Sequence, residues 1–220
     1  MDSSADRRGF LTRLAAAGLA AALPTAAEAS VGAPAAADWD DSWTARVRAA
    51  KHKAVFDSPE PMEGLALVQA TRYRDGYEAA LGARAGEVVP VVVLRHFSTV
   101  LAWDDAIWSK YQVAEWRKLK HGSSETFPEF NPFSRPHTDE ERREARAFVE
   151  GVIAAGGVVL VCNLAATALS GQLARLRKVE PAAMQAETRA GLVPGAILQP
   201  NGIYAVARAQ EAGCVYMRST

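Results

Sequence analysis

Short, almost continuous apolar runs alternate with stretches of helical spacing between residues 51 and 220. The apolar runs predict five strands, at 53–56, 88–94, 158–161, 196–198 and 214–217. Helical spacing and capping signals between them predict helices at 62–81, 98–111, 138–155, 164–178, 180–190 and 203–212. Strands joined by helical crossovers predict a three-layer, doubly wound α/β fold with a five-stranded parallel sheet.

Residues 118–137 interrupt this alternation. They contain three prolines and three phenylalanines without a helical or strand period, which predicts a long inserted loop. Loops of this length are usually functional or flexible. Directly after them, Thr138 and Glu141 have the spacing of a capping box, which predicts that the next helix begins there.

The first 29 residues differ from the rest of the chain. Adjacent arginines, Arg7 and Arg8, precede Phe10 and an Ala-rich apolar stretch, and 27–29 has the small-x-small form of a cleavage site. This pattern predicts a twin-arginine signal peptide, and therefore a periplasmic protein that meets the twin-arginine translocase during export. The apolar stretch is too short to span a bilayer. An amphipathic N-terminal helix and an uncleaved membrane anchor are the alternatives.

Residues 30–50 are predicted to be a linker and an N-terminal extension, since 31–41 is rich in Ala, Pro and Asp. Within them, Trp39 and Trp43 either dock on the body of the domain or lie at an interface, and docking is the simpler interpretation. The remaining residues, 51–220, are predicted to form the α/β domain.

Composition and charge exclude several function classes. Apolar residues make up 49% and charged residues 23% of the chain, which excludes global disorder. Lys and Arg number 25 and Asp and Glu also number 25, so the sequence offers no basic excess for binding nucleic acid. His121, Glu125 and His137 share the long loop without the spacing of a known metal motif. We therefore predict no metal site and no cofactor.

Polar side chains follow most of the predicted strands, and in a parallel sheet these positions share one edge. Ligands of doubly wound folds bind in the crevice at that edge. The residues collected there are Asp57, Ser58, Arg95, His96, Cys162, Asn163, Gln199, Asn201 and Gly202. Trp108, in the aromatic segment 98–111, is a further binding candidate, although aromatic residues at helical spacing more often belong to the core.

Cys162 is the sharpest candidate for chemistry, with Arg95 and His96 as its catalytic partners. A thiolate is the sulfur nucleophile, and its pKa falls at a helix N-terminus or beside a cation. Cys162 precedes the helix predicted at 164–178, and Arg95 and His96 end a strand that is one or two places away in the predicted sheet. The alternative is that Cys162 is a buried, inert thiol that packs as a small apolar residue. For Arg95 and His96, a structural role is as consistent with the sequence as a functional role.

Four segments resemble, in their order and spacing, the DsrE/DsrF-like family of small sulfur-relay proteins. They are HKAVF at 52–56, GVVLVCN at 157–163, LVPGAILQPNG at 192–202 and QEAGCVY at 210–216. The resemblance implies a flavodoxin-like sheet, frequent homo-oligomers, and a cysteine after the third strand that carries persulfide sulfur. Cys162 has that position. Members of known role are mostly cytoplasmic, whereas the segment 95–111 resembles a branch exported by the twin-arginine route.

Two functions of different class follow. In the first, Cys162 accepts or relays sulfane sulfur, with a small molecule or a sulfur-carrier protein as partner. In the second, the protein is a non-catalytic periplasmic module that binds a small ligand or a protein at the same edge of the sheet.

We also predict that Cys162 and Cys214 are not bonded to each other, because one ends a strand and the other begins one, at opposite edges of a parallel sheet. The resemblance agrees, since the family has an aromatic residue at the position of Cys214.

Overall fold

The computed structural model of the protein describes residues 39–122, 124–143 and 147–220. The predicted signal peptide at 1–29 and the first part of the predicted linker, 30–38, lie outside the described residues. Among the described residues, no helix is both long enough and apolar enough to cross a membrane.

In the described part of the chain, a single sheet of five parallel strands forms the centre of the domain. The strands are β1 (His52–Ser58), β2 (Val88–Leu94), β3 (Val158–Cys162), β4 (Ile197–Gln199) and β5 (Val215–Arg218). Their order across the sheet is β4-β3-β2-β1-β5, and each neighbouring pair is parallel. The three-layer α/β prediction is therefore confirmed. The bounds of β2 are those that the valine run predicts, while the other strands shift by one to a few residues.

Pro90 lies inside the central strand β2 without breaking it. Its neighbour on one side is Ala54 of β1, whereas pairing with β3 begins only at Val91. Pro90 thus precedes the part of β2 that is flanked on both sides, where a missing backbone donor is most costly.

Nine α-helices are found among the described residues. They are α1 (Trp43–Ala49), α2 (Leu65–Leu81), α3 (Asp105–Tyr111), α4 (Val113–Arg117), α5 (Asp139–Arg143), α6 (Val149–Ala154), α7 (Asn163–Arg177), α8 (Pro181–Ala190) and α9 (Gly202–Glu211). The 3₁₀-helices Met62–Gly64 and His96–Ala102 begin at the carboxyl edge of the sheet. Trp43 is buried against the sheet, so this part of the predicted extension docks on the domain.

Successive strand residues face two separate apolar layers. Phe56, Leu94 and Val161 pack with α2, α6 and α7 on one side of the sheet. Val55, Val93 and Leu160 pack with α1 and α9 on the other. Because side chains alternate along a strand, Asp57, Arg95 and Cys162 continue the second set and leave the sheet on the side of α9.

The helix predicted at 98–111 is wrong as a single element. The chain runs as a 3₁₀-helix to Ala102, is extended at Trp103, and begins α3 only at Asp105. Trp103 forms an antiparallel bridge with Leu192, and the Asp104 carboxylate accepts a hydrogen bond from the Ile107 amide at 2.9 Å. The bridge to Leu192 pairs Trp103 outside any helix, and Asp104 caps the helix that follows. The two contacts together stabilise the break.

The helix predicted at 138–155 is also divided. Its start is confirmed, since the Glu141 amide donates to Thr138 Oγ1 at 3.1 Å and the Thr138 amide donates to the Glu141 carboxylate at 3.0 Å. However, Phe148 is extended, and α6 begins only at Val149. The Val149 amide donates to the Phe133 carbonyl at 2.9 Å, so the long loop supplies an acceptor to the first turn of α6.

The long loop 118–137 contains no helix or strand in its described part, and it is fixed to α3 through Asp105. The carboxylate of Asp105 accepts hydrogen bonds from the Asn131 amide at 3.1 Å and from Arg135 Nε at 2.9 Å, and it lies 3.0 Å from His137 Nε2. Burial raises the pKa of Asp105, but the hydrogen bonds from Arg135 and His137 outweigh burial and lower it overall. This end of the loop is therefore packed against the domain.

Candidate functional site

Four predicted site residues lie at the carboxyl ends of neighbouring strands. Asp57 is near the end of β1, Arg95 follows β2, and Cys162 ends β3 opposite Gln199 of β4. The Arg95 amide donates to the Ser58 carbonyl at 3.0 Å, which continues the β1–β2 ladder to this point. The prediction that these residues share one edge of the sheet is confirmed.

Asp57 and Arg95 form a bidentate ion pair. Arg95 Nε donates to Asp57 Oδ1 at 2.6 Å, and the Arg95 terminal nitrogen donates to Asp57 Oδ2 at 2.9 Å. The side chain of Asp57 is 7% exposed and that of Arg95 is 21% exposed. Tyr216 Oη also donates to Asp57 Oδ2 at 2.9 Å, and this hydrogen bond raises the pKa of Tyr216. The arginine is therefore held by two hydrogen bonds in one orientation.

Gly202, the first residue of α9, lies directly against the side chain of Arg95. A Cβ atom at Gly202 would be 2.4 Å from Arg95 Cβ and 2.7 Å from Arg95 Cδ. The absence of a side chain at Gly202 lets the start of α9 approach the ion pair closely. Asn201 caps the same helix, since its Oδ1 accepts the Tyr204 amide at 2.9 Å.

We predict that Gly202→Ala displaces Arg95 from Asp57. The new methyl group overlaps the stem of Arg95, and a shift of the stem breaks a bidentate geometry that depends on both nitrogen atoms. A crystal structure of the variant is expected to show at least one of the two hydrogen bonds lost. Gly171→Ala is the matched control, because a Cβ there meets only Arg175 at 3.8 Å. An unchanged ion pair in Gly202→Ala would show that the close approach is not required.

Cys162 lies between the end of β3 and the start of α7. It is the N-cap residue of α7, and its sulfur accepts a hydrogen bond from the Ala165 amide at 3.3 Å. A serine, threonine or aspartate usually fills this role, and each accepts with oxygen. A thiolate in the same place gains both the amide hydrogen bond and the positive end of the helix dipole. Arg95 is close enough for its pKa to be raised slightly by Cys162, after the larger effect of Asp57.

A cleft of about 440 Å³ opens over Cys162, between the first turns of α7 and the start of α9. We call it the Cys162 cleft. Its lining residues are Arg95, His96, Phe97, Cys162, Leu164, Ala165, Ala168, Leu169, Gln172, Asn201, Gly202 and Ile203. A volume of this size suits a small organic molecule. Sequence reasoning missed the apolar members from α7, because at helical spacing they are indistinguishable from core positions.

The backbone at this edge of the sheet adopts unusual conformations. His96 has φ of 52°, and Met62 and Glu63 have φ of 40° and 51°. A left-handed backbone is unfavourable for such side chains and is concentrated at functional sites in folded proteins. The other non-glycine residues with positive φ, among those described, are Gln112, Lys118 and Lys178, and each directly follows a helix. His96 is exposed and lines the Cys162 cleft.

Five predicted binding residues lie outside the lining of the cleft: Asp57, which pairs with Arg95, and Ser58, Asn163, Gln199 and Trp108. Gln199 is fully buried, and its Nε2 donates to the Asp40 carbonyl at 2.8 Å. Ser58 is buried and donates to the Glu60 carbonyl, while Asn163 accepts a hydrogen bond from Arg189. Trp108 packs in the apolar core, where its Nε1 donates to the Val100 carbonyl at 2.8 Å. The structure therefore gives Trp108 a packing role, away from the cleft.

The second cysteine, Cys214, has a different environment. Both cysteines are free, as predicted. Cys214 precedes β5 and belongs to the apolar layer that packs under α1 and α9. Burial raises the pKa of its thiol to about 11. Cys162 and Cys214 are similarly buried, so what distinguishes them is the amide hydrogen bond, the arginine and the cleft around Cys162.

No group of three or more potential metal ligands of the His, Cys, Asp or Glu type is found in the described ranges. Comparison of the chain with models of protein families, with curated proteins and with solved structures finds no match. We therefore infer a function from the geometry of the Cys162 cleft and from the residues that line it.

Proposed function

We propose that the protein accepts and passes on sulfane sulfur at Cys162. The observation that carries the proposal is the position of Cys162: it caps α7 through its own sulfur atom and faces a cleft wide enough for a small molecule. The sulfur atom that accepts the Ala165 amide is the atom that attacks a sulfane sulfur, and it attacks as the thiolate.

The chemistry is an exchange of sulfur between two thiols. The Cys162 thiolate attacks the outer sulfur of a persulfide R–S–SH and forms a new S–S bond. The S–S bond of the donor breaks, and R–S⁻ leaves with the electron pair. The outer sulfur, with its proton, stays on Cys162, so no external oxidant or reductant is needed. The guanidinium of Arg95, held in place by Asp57, lies near the reacting sulfur, and His96, at the mouth of the cleft, is the proposed proton donor to the leaving thiolate.

The resemblance to DsrE/DsrF-like proteins supports the same function. It matches a persulfide-carrying cysteine with Cys162, and the α/β architecture it implies is the one found. We include in the proposal export by the twin-arginine route to the periplasm and assembly as a homo-oligomer, both of which the sequence features and the resemblance suggest. A sulfur-carrier protein is an alternative source of the sulfur.

A second candidate function is the non-catalytic binding of a small ligand. It is favoured by the lining of the cleft, where Leu164 and Ile203 expose most of their side chains to solvent. In this alternative Cys162 serves only as the cap of α7 and does not react.

The two functions are separated by cyanide-labile sulfur on the purified protein. After treatment with excess inorganic polysulfide and removal of small molecules, wild type is expected to release a stoichiometric amount of thiocyanate. Cys162→Ser is expected to release none, while Cys214→Ser, the matched control, is expected to behave as wild type. Release from Cys162→Ser at the wild-type level, or no release from any form, would leave only the binding function.

A further inference from the structure

The sulfur donor that fits the Cys162 cleft is apolar. Phe97 and Leu169 form part of its wall, and Leu164 and Ile203 project from the first turns of α7 and α9. These two side chains are 67% and 68% exposed, although both are large and aliphatic. Water-exposed aliphatic side chains on both sides of a concave site indicate that an apolar group covers them when the site is occupied.

The charge of the cleft also disfavours a strongly anionic donor. Among the described residues that line the cleft, Arg95 alone is permanently charged, and its Nε and one terminal nitrogen donate to Asp57. The pair carries no net charge, and its guanidinium is fixed toward the carboxylate. A donor with several carboxylate groups would lose hydration in the cleft and would meet no cation in the described lining other than this one guanidinium, whose charge Asp57 already balances.

We infer that the donor is a small organic persulfide with an uncharged, apolar substituent. This inference rests on the proposed function and narrows its substrate class. The substituent lies on Leu164 and Ile203, and the terminal sulfur reaches Cys162 at the base of the cleft. The reaction is the exchange given above: the bond between Cys162 and the terminal sulfur forms, the bond to the donor's own sulfur breaks, and the apolar thiol leaves as its thiolate and takes up a proton.

The test compares two donors on the mature protein. Benzyl persulfide and glutathione persulfide are generated in situ, and the rate of sulfur transfer to Cys162 is measured by cyanide-labile sulfur. Each rate is divided by the rate of the same donor with a small free thiol, which removes the intrinsic reactivity of the donor. The normalised rate is expected to favour the benzyl donor by about tenfold or more, the size of effect that burial of one apolar group produces.

Two variants connect this preference to the cleft. Leu164→Ser and Ile203→Ser are each expected to reduce the preference at least about threefold, since each removes apolar contact area. Both positions are exposed, so the fold tolerates a polar residue there. Leu176→Ser is the matched control: Leu176 is a leucine of the same helix, is 53% exposed and lies outside the cleft lining, and it is expected to leave the preference unchanged.

The possible results separate this inference from the proposed function. If both donors load Cys162 at equal normalised rates, or if Leu176→Ser has the same effect as Leu164→Ser, the apolar donor is excluded while sulfur transfer at Cys162 stands. If neither donor loads Cys162, the apolar donor and the proposed sulfur transfer at Cys162 are both excluded.

Discussion

Alkylation of the native protein near neutral pH is expected to label Cys162 at least about a hundred times faster than Cys214. Burial raises the pKa of Cys214 to about 11, so at neutral pH roughly one Cys214 thiol in ten thousand is a thiolate. Cys162 gains an amide hydrogen bond on its sulfur and faces a cleft that admits the reagent. The measurement is peptide mapping after timed exposure to iodoacetamide.

The pH dependence of the alkylation of Cys214, the slower of the two reactions, provides a second measurement. Because the folded-state pKa of Cys214 is raised, its thiol stays protonated at pH values where an unfolded cysteine has already ionised, and its labelling is expected to keep increasing until about pH 11. In denaturant, both cysteines are expected to react at similar rates. Equal rates in the folded protein would show that the surroundings of Cys162 do not activate it.

Asp57→Ala is expected to lower the free energy of unfolding by about 3 kcal/mol, the usual cost of breaking a largely buried ion pair. The substitution leaves the guanidinium of Arg95 without its carboxylate, and the hydroxyl of Tyr216 loses its acceptor. Denaturant unfolding of the variant and of wild type measures the difference.

Lys51→Ala is the matched control for Asp57→Ala. Lys51 also pairs with a carboxylate, that of Glu87, but on the exposed surface of the protein. Its loss is expected to cost much less than the loss of Asp57, because solvent screens an exposed ion pair. The double variant Asp57→Ala/Arg95→Met is expected to be more stable than Asp57→Ala, because it removes the unpaired charge. A cost of Asp57→Ala as small as that of Lys51→Ala would contradict the structural role of the pair.

The strands could be predicted from the sequence more reliably than the helices between β2 and β3. A run such as 88–94 is too apolar to be placed anywhere but inside a sheet, and its bounds are those observed. The helix predicted at 98–111 failed because tertiary contacts decide the break: Trp103 pairs with Leu192, which is distant in sequence. The capping box at Thr138 was visible because it is a local signal, whereas the capping of α6 by the Phe133 carbonyl was not.

The site was predictable in its polar part only. The residues at strand ends must share an edge of a parallel sheet, and this rule brought together Asp57, Arg95 and Cys162. Tyr216 lies on β5, whose place next to β1 follows from the strand order and not from any motif. Whether Trp108 faces a ligand or the core depends on the break before α3, so helical spacing alone could not decide it.

Direct localisation of the transferred sulfur tests the central claim. Wild-type protein is loaded with a persulfide donor, its thiols and persulfides are alkylated, and its peptides are analysed by mass spectrometry. We predict that the peptide containing Cys162 carries the mass of one additional sulfur atom and that the peptide containing Cys214 does not. Additional sulfur on Cys214 alone, or on neither peptide, would contradict the assignment of Cys162 as the sulfur acceptor.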